Sequence, residues 1–212
     1  MVCFQIQAKH KQISDMSTAS RAVNIYVESN PNPNSLKFVA NFMLVPEGKS
    51  YDFPGVADTE NAPLAQLLFT RFPFIERVFY MSNFVTVTKN EGTSWESVQN
   101  ELRTFIKEYL EEEKPLLLNA EEVETESNEI HADDSEIVKK IKGILEEYVK
   151  PAVEMDGGAI SFDSYDDGVV KLHLQGSCSG CPSSMVTLKS GIENLLKRML
   201  PNDIKEVYAE GV

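Results

Sequence analysis

The chain's 212 residues predict an α+β protein of two small mixed domains joined by an acidic flexible linker. Three observations carry that expectation. Short β-type runs alternate with helical periodicities in both halves. A polyacidic stretch without periodicity separates the halves. The second half reads in the order α-β-β-α-β. The resulting division is a disordered tail over 1–20, a first domain over 21–112, the linker over 113–134 and a second domain over 135–212.

In the first domain, residues 22–27 and 36–44 read as strands. They flank Ser29-Asn30-Pro31-Asn32-Pro33-Asn34, a run of turn formers in which two prolines fix φ. Pro63 suits the first turn of a helix reaching about residue 72. Residues 75–80 and 84–88 predict a hairpin through Met81-Ser82-Asn83. Thr93 and Glu96 have capping-box spacing ahead of a helix that lines Trp95, Val98, Leu102, Phe105, Ile106 and Tyr109 on one side. In the second domain, Ser135 caps a predicted helix with Ile137, Ile141, Ile144, Leu145 and Tyr148 at helical spacing, closed off by Pro151 and Gly157-Gly158. A hairpin over 160–164 and 169–174 turns at Asp166-Asp167-Gly168. Pro182 then opens a helix carrying Met185, Leu188, Ile192, Leu195, Leu196 and Met199, and 204–209 is the last strand.

The net charge of −13 is concentrated: residues 111–136 hold eleven acidic residues and one lysine. The rest of the chain is close to neutral and shows no basic stripe with interleaved aromatics, so no nucleic-acid partner is expected. The acidic stretch reads as a solvated tether that lets its two neighbours move. No apolar run approaches the roughly 18 residues that span a bilayer, so no membrane partner is expected. The first twenty residues lack a secretory core and are poor in arginine, and Met16 offers an alternative start. Three cysteines do not make a disulfide framework, so a reducing, cytoplasmic setting is expected.

Chemistry concentrates at Gly176-Ser177-Cys178-Ser179-Gly180-Cys181-Pro182, which holds every cysteine except Cys3. Structural zinc and cubane clusters take four protein ligands, and this corner offers two. Either the pair works alone as a dithiol, or two chains each contribute half of a four-thiolate site. Cys181 falls at or just before a helix start, where unpaired N–H groups and the dipole favour a thiolate, so reactive thiols are expected. The late position in the domain and the middle residues Ser179 and Gly180 separate the motif from a thioredoxin-like one. His173 is expected to face away on its strand, and His131 and His10 lie in linker and tail. One chain therefore lacks a complete mononuclear zinc site. Asp156-Gly157-Gly158 and the Asn-Pro-Asn stretch read as turns, and Met185 and Met199 as core. No triad or poised base is visible, and no enzyme activity is expected.

Two stretches bear a family resemblance. Tyr148-Val149-Lys150-Pro151-Ala152-Val153-Glu154-Met155-Asp156-Gly157-Gly158, the hairpin, and the cysteine corner with its helix closely resemble the C-terminal NifU-like (Nfu) domain over about 136–211. The first half is similar to the domain that often precedes it, through Asn32-Pro33-Asn34-Ser35-Leu36-Lys37-Phe38, Pro63-Leu64-Ala65 and Phe84-Val85-Thr86-Val87-Thr88-Lys89. The resemblance implies an iron–sulfur cluster scaffold or carrier. It makes Cys178 and Cys181 the metal and cluster ligands, with the same pair from a second chain completing a bridging [4Fe–4S] site in a homodimer; a [2Fe–2S] form is also open. Partners implied are an upstream assembly scaffold and apo iron–sulfur acceptor proteins, with acceptor choice assigned to the first domain. One departure is Ala159, where the family often has an acidic residue. The competing classes are a dithiol/disulfide oxidoreductase using Cys178 and Cys181 and a zinc-bridged structural dimer.

Overall fold

The computed structural model describes residues 22–118, 128–179 and 182–211. The expected tail, the middle of the acidic stretch and Cys181 lie outside the described residues. The fold is α+β, as the patterning predicts, with two sheets among the described residues. The first has five antiparallel strands in the order β1-β2-β5-β4-β3: β1 Ile25–Ser29, β2 Ser35–Ala40, β3 Ser50–Phe53, β4 Ile75–Met81 and β5 Phe84–Lys89. Helices α1 (Pro63–Arg71) and α2 (Trp95–Glu111) cover one face. Leu64, Leu68, Leu102 and Ile106 pack there on Phe38, Val78, Tyr80, Val85 and Val87 as one buried core.

The second sheet is an antiparallel hairpin, β6 (Gly158–Asp166) and β7 (Val169–Gly176), with β8 (Glu206–Gly211) parallel to β7. The parallel pairing needs a crossover, supplied by α5 (Pro182–Met199). The hairpin turns where the Asp-Gly signal stands: Asp167 and Gly168 both have positive φ, 41° and 88°. Helix α3 (Glu136–Ile144) starts as expected, the Ser135 hydroxyl accepting from the Val138 N–H at 3.3 Å. Ile141, Leu145, Val153, Leu172, Leu174 and Leu196 form the second core.

Several elements differ from expectation. Strand β3 was not anticipated: it is four residues long, wedged between Pro46-Glu47-Gly48 and Pro54-Gly55. The capping box at Thr93 and Glu96 does not form. Ser94 occupies the cap position without a side-chain bond, and the Thr93 hydroxyl donates to Asn90 at 2.9 Å. Pro151 does not end the helix. A π-turn over Leu145–Val149 follows α3 and restarts it as α4 (Lys150–Met155), with Pro151 in the first turn. There its missing N–H costs nothing, which the wider turn makes possible. The ends of the acidic stretch are also tied down, although they were expected to be solvated. Tyr109 donates to the Pro115 carbonyl, Leu118 N–H bonds to the Asn61 carbonyl, and Leu116 and Leu117 pack on the first core. At the far end, buried Asn128 donates to the Ile160 carbonyl and accepts from the Phe162 N–H, extending the edge of β6.

Candidate functional site

The cysteine corner joins the end of β7 to the start of α5. Gly176 takes φ 66°, a left-handed conformation that turns the chain out of the strand. The Ser177 N–H bonds to the Gly157 carbonyl at 3.3 Å, and the Ser177 hydroxyl donates to the Asp156 carbonyl. Ser179 closes the loop with its N–H and hydroxyl both on the Gly176 carbonyl, at 3.3 and 3.1 Å. Thus the Asp156-Gly157-Gly158 turn is also the seat of the cysteine loop. Gly157 ends α4 with φ 81°, and a Cβ on Gly158 would fall 2.8 Å from Cys178 Sγ. Composition and spacing identified the turn but not the seat, because close approach to a sulfur leaves no mark beyond a glycine.

Cys178 is 7% exposed and belongs to the second core. Burial pushes its thiol up to about 11; the Ser177 hydroxyl, 3.8 Å from the sulfur, opposes this and the Asp156 charge adds to it. Burial thus works against a thiolate at Cys178, while the helix-start effect was expected at Cys181, which lies outside the described residues. Asp156 itself is raised by burial, with Lys37 lowering it. His173 lies on the face of β7 opposite Leu172 and Leu174, in register with Ser161. Among the described residues no three His, Cys, Asp or Glu side chains gather at one point. No described helix is long and apolar enough to cross a membrane.

Residues of the first half complete the surroundings. A cleft of about 320 Å³ beside Cys178 is lined by Pro31 and Asn32 on one side and Asp156, Ser177, Thr187 and Leu188 on the other. The Asn32 side-chain amide donates to the Ser177 carbonyl at 2.9 Å, so the Asn-Pro-Asn turn touches the cysteine loop. Nearby, Asp52 on β3 is ion-paired with Arg77. Burial pushes Asp52 up to about 6, against the pull of Arg77 and of the Gly176 and Phe53 backbone groups. A carboxyl raised in the fold makes the native state bind more protons than the unfolded chain between roughly pH 4 and 6, so its contribution is fullest below that window and is lost as pH rises through it. Urea midpoints across that range check this. Relative to the parent, Asp52→Asn is expected to gain stability with rising pH, by up to about 3 kcal/mol.

The family model described as "Scaffold protein Nfu/NifU N terminal" matches residues 25–113, and the NifU-like domain matches 141–208. Among curated proteins, "NFU1 iron-sulfur cluster scaffold homolog, mitochondrial" of Drosophila willistoni is 41% identical over 192 residues, 90% of this chain and 65% of its own length. The protein of the same name from Drosophila persimilis is 40% identical over 202 residues, 94% of this chain and 70% of its own. The chain thus spans about two thirds of these relatives' length. The solution structure of a NifU-like protein from Saccharomyces cerevisiae is similar to 53% of this chain and 98% of its own, at 24% identity and TM-score 0.43. The relatives' names overturn the cytoplasmic expectation. Few cysteines distinguish reducing from oxidising compartments, but do not tell one reducing compartment from another. With both halves matched in order and relatives near 40% identity, this chain belongs to the Nfu/NifU scaffold-protein family.

Proposed function

We propose that this chain is a mitochondrial iron–sulfur cluster scaffold and carrier, not an enzyme, that holds a [4Fe–4S] cargo between two chains and passes it to apo-acceptor proteins. The observation that carries this reading is the two-thiol corner itself. Cys178 and Cys181 supply two thiolates per chain where a cubane takes four, so a homodimer completes the set. The sequence divides accordingly into an N-terminal unit over 21–112, a tether over 113–134 and a cluster-binding unit over 135–212. An upstream assembly scaffold loads the site, and acceptors remove the cluster by ligand exchange.

The chemistry asks little of the protein beyond position. Gly176 and Gly158 let the loop approach its seat closely, Ser177 fixes the turn, and four thiolates around a 2+ core leave a net −2 for nearby N–H groups to stabilise. Anaerobic reconstitution with iron and sulfide, followed by sizing and iron and sulfide analysis of each peak, tests the reading. The expected product is a dimer with about four irons and four sulfides and a broad absorbance near roughly 400 nm. A colourless monomer that cycles Cys178 and Cys181 as a disulfide would assign the pair to dithiol chemistry instead.

A further inference from the structure

The first sheet has a second face, away from α1 and α2, to which β2, β4 and β5 turn Lys37, Phe79, Met81, Phe84 and Thr86. An uncovered face would leave these residues in water. Yet Phe79 is 0%, Met81 3% and Thr86 1% exposed. What covers them is the segment of this same chain that seats Cys178. Thr86 Oγ1 donates to the Gly157 carbonyl at 2.8 Å, Lys37 Nζ to the Met155 carbonyl at 3.1 Å, and Asn32 Nδ2 to the Ser177 carbonyl at 2.9 Å. Ala159 packs on the Phe79, Met81 and Phe84 cluster, and a Cβ on Gly176 would fall 2.9 Å from the Phe79 ring. Three side-chain donors aimed at carbonyls of the end of α4, the turn after it and the cysteine loop that turn seats, around an apolar centre, form a fitted contact.

We propose that this face is a docking surface for the chain's own cysteine corner. The N-terminal unit is a cap that lifts away before the corners of two chains share a cluster. The inference rests on the two-chain reading above. With the cap seated, Cys178 is 7% exposed, and the cleft beside it is walled by Pro31 and Asn32, so the cap stands where the corner of a second chain would have to meet this one.

In a full-length chain carrying Cys3→Ser and Cys181→Ser, Cys178 is the sole thiol. Its rate of modification by iodoacetamide in the reduced, iron-free protein reports how often the cap lifts. Phe79→Asp and Thr86→Arg put charge into the contact without touching the helix-covered face. Each is expected to raise the rate on the order of tenfold, with the far-UV circular dichroism unchanged. Tyr26→Asp, at a side chain 62% exposed, is expected to leave it at the parent value. If a charged variant does not fold, the double change Asn32→Ala, Thr86→Ala, which removes two of the bonds, must accelerate modification or the cap is rejected. A parent that reacts as fast folded as in urea also overturns it, as do folded charged variants that react at the parent rate. The rate involves no iron, so cap and cluster reading fail separately. Cluster binding at Cys178 with an unresponsive rate removes the cap alone, whereas a responsive rate with full cluster content in Cys178→Ser keeps the cap and removes the ligand assignment.

Discussion

Cys178→Ser is expected to reduce bound iron and sulfide after reconstitution from about four of each per dimer to near zero, and to leave the protein monomeric. Two lost thiolates per dimer break the ligand set at two corners, and a serine hydroxyl does not replace a thiolate on iron. The substitution also exchanges a thiol that is 7% exposed for a hydroxyl, at a cost of about 1–3 kcal/mol if unpaired. Iron loss must therefore be read beside an unchanged circular dichroism spectrum and sizing of the apoprotein. Full cluster content in the folded variant would show that Cys178 is no ligand.

The second large effect concerns a residue with no chemistry of its own. Gly158→Ala places a Cβ 2.5 Å from the Gln175 carbonyl and 2.8 Å from Cys178 Sγ, and neither neighbour is the free end of a flexible side chain. Relief requires β6 and β7 to separate or the cysteine loop to shift. The expected cost is about 2–4 kcal/mol, read as a lower urea midpoint of the reduced apoprotein, together with poorer cluster retention. Gly143→Ala is the contrast: it lies in α3 with nothing within 4 Å of the added Cβ. It is expected to stabilise by about 0.5–1 kcal/mol, because alanine loses less backbone entropy in a helix. Equal effects at the two glycines would reject the close seating of the loop.

Elements with local causes were legible in the sequence. The Asp-Gly hairpin and the Ser135 cap each arise within a few residues and form where their patterns stand; the α5 periodicity does so except at its end, where Met199, expected in the core, is 41% exposed. The two-thiol corner was legible as half a site for the same reason: ligand count is a property of composition. What stayed hidden depends on partners far away in the chain. The hydrogen bonds of Ser50, Lys37 and Thr86 go to Gln175 and to the Met155 and Gly157 carbonyls, and no local pattern announces them. A polar side chain that meets a distant carbonyl has the same pattern as one that meets water. Pro151 misled differently, because the rule that proline ends a helix does not anticipate a π-turn that resets the hydrogen bonding before it. The burial of Cys178, which pushes its thiol up, also escaped, since what packs over a sulfur is known only once the fold is.

Mutual cover of the sheet face and the cysteine corner has an arithmetic consequence for loading. A bridged site draws one corner from each of two molecules, so the share of encounters in which both are open is the square of the open fraction in one. A contact that leaves about one chain in ten open leaves about one pair in a hundred competent. Loosening it tenfold in every chain opens about one chain in two and makes about one pair in four competent, a gain of about 25-fold. A weak contact inside each molecule thus sets a steep threshold on assembly between molecules, and any acceptor or donor that competes for the sheet face acts on that threshold twice.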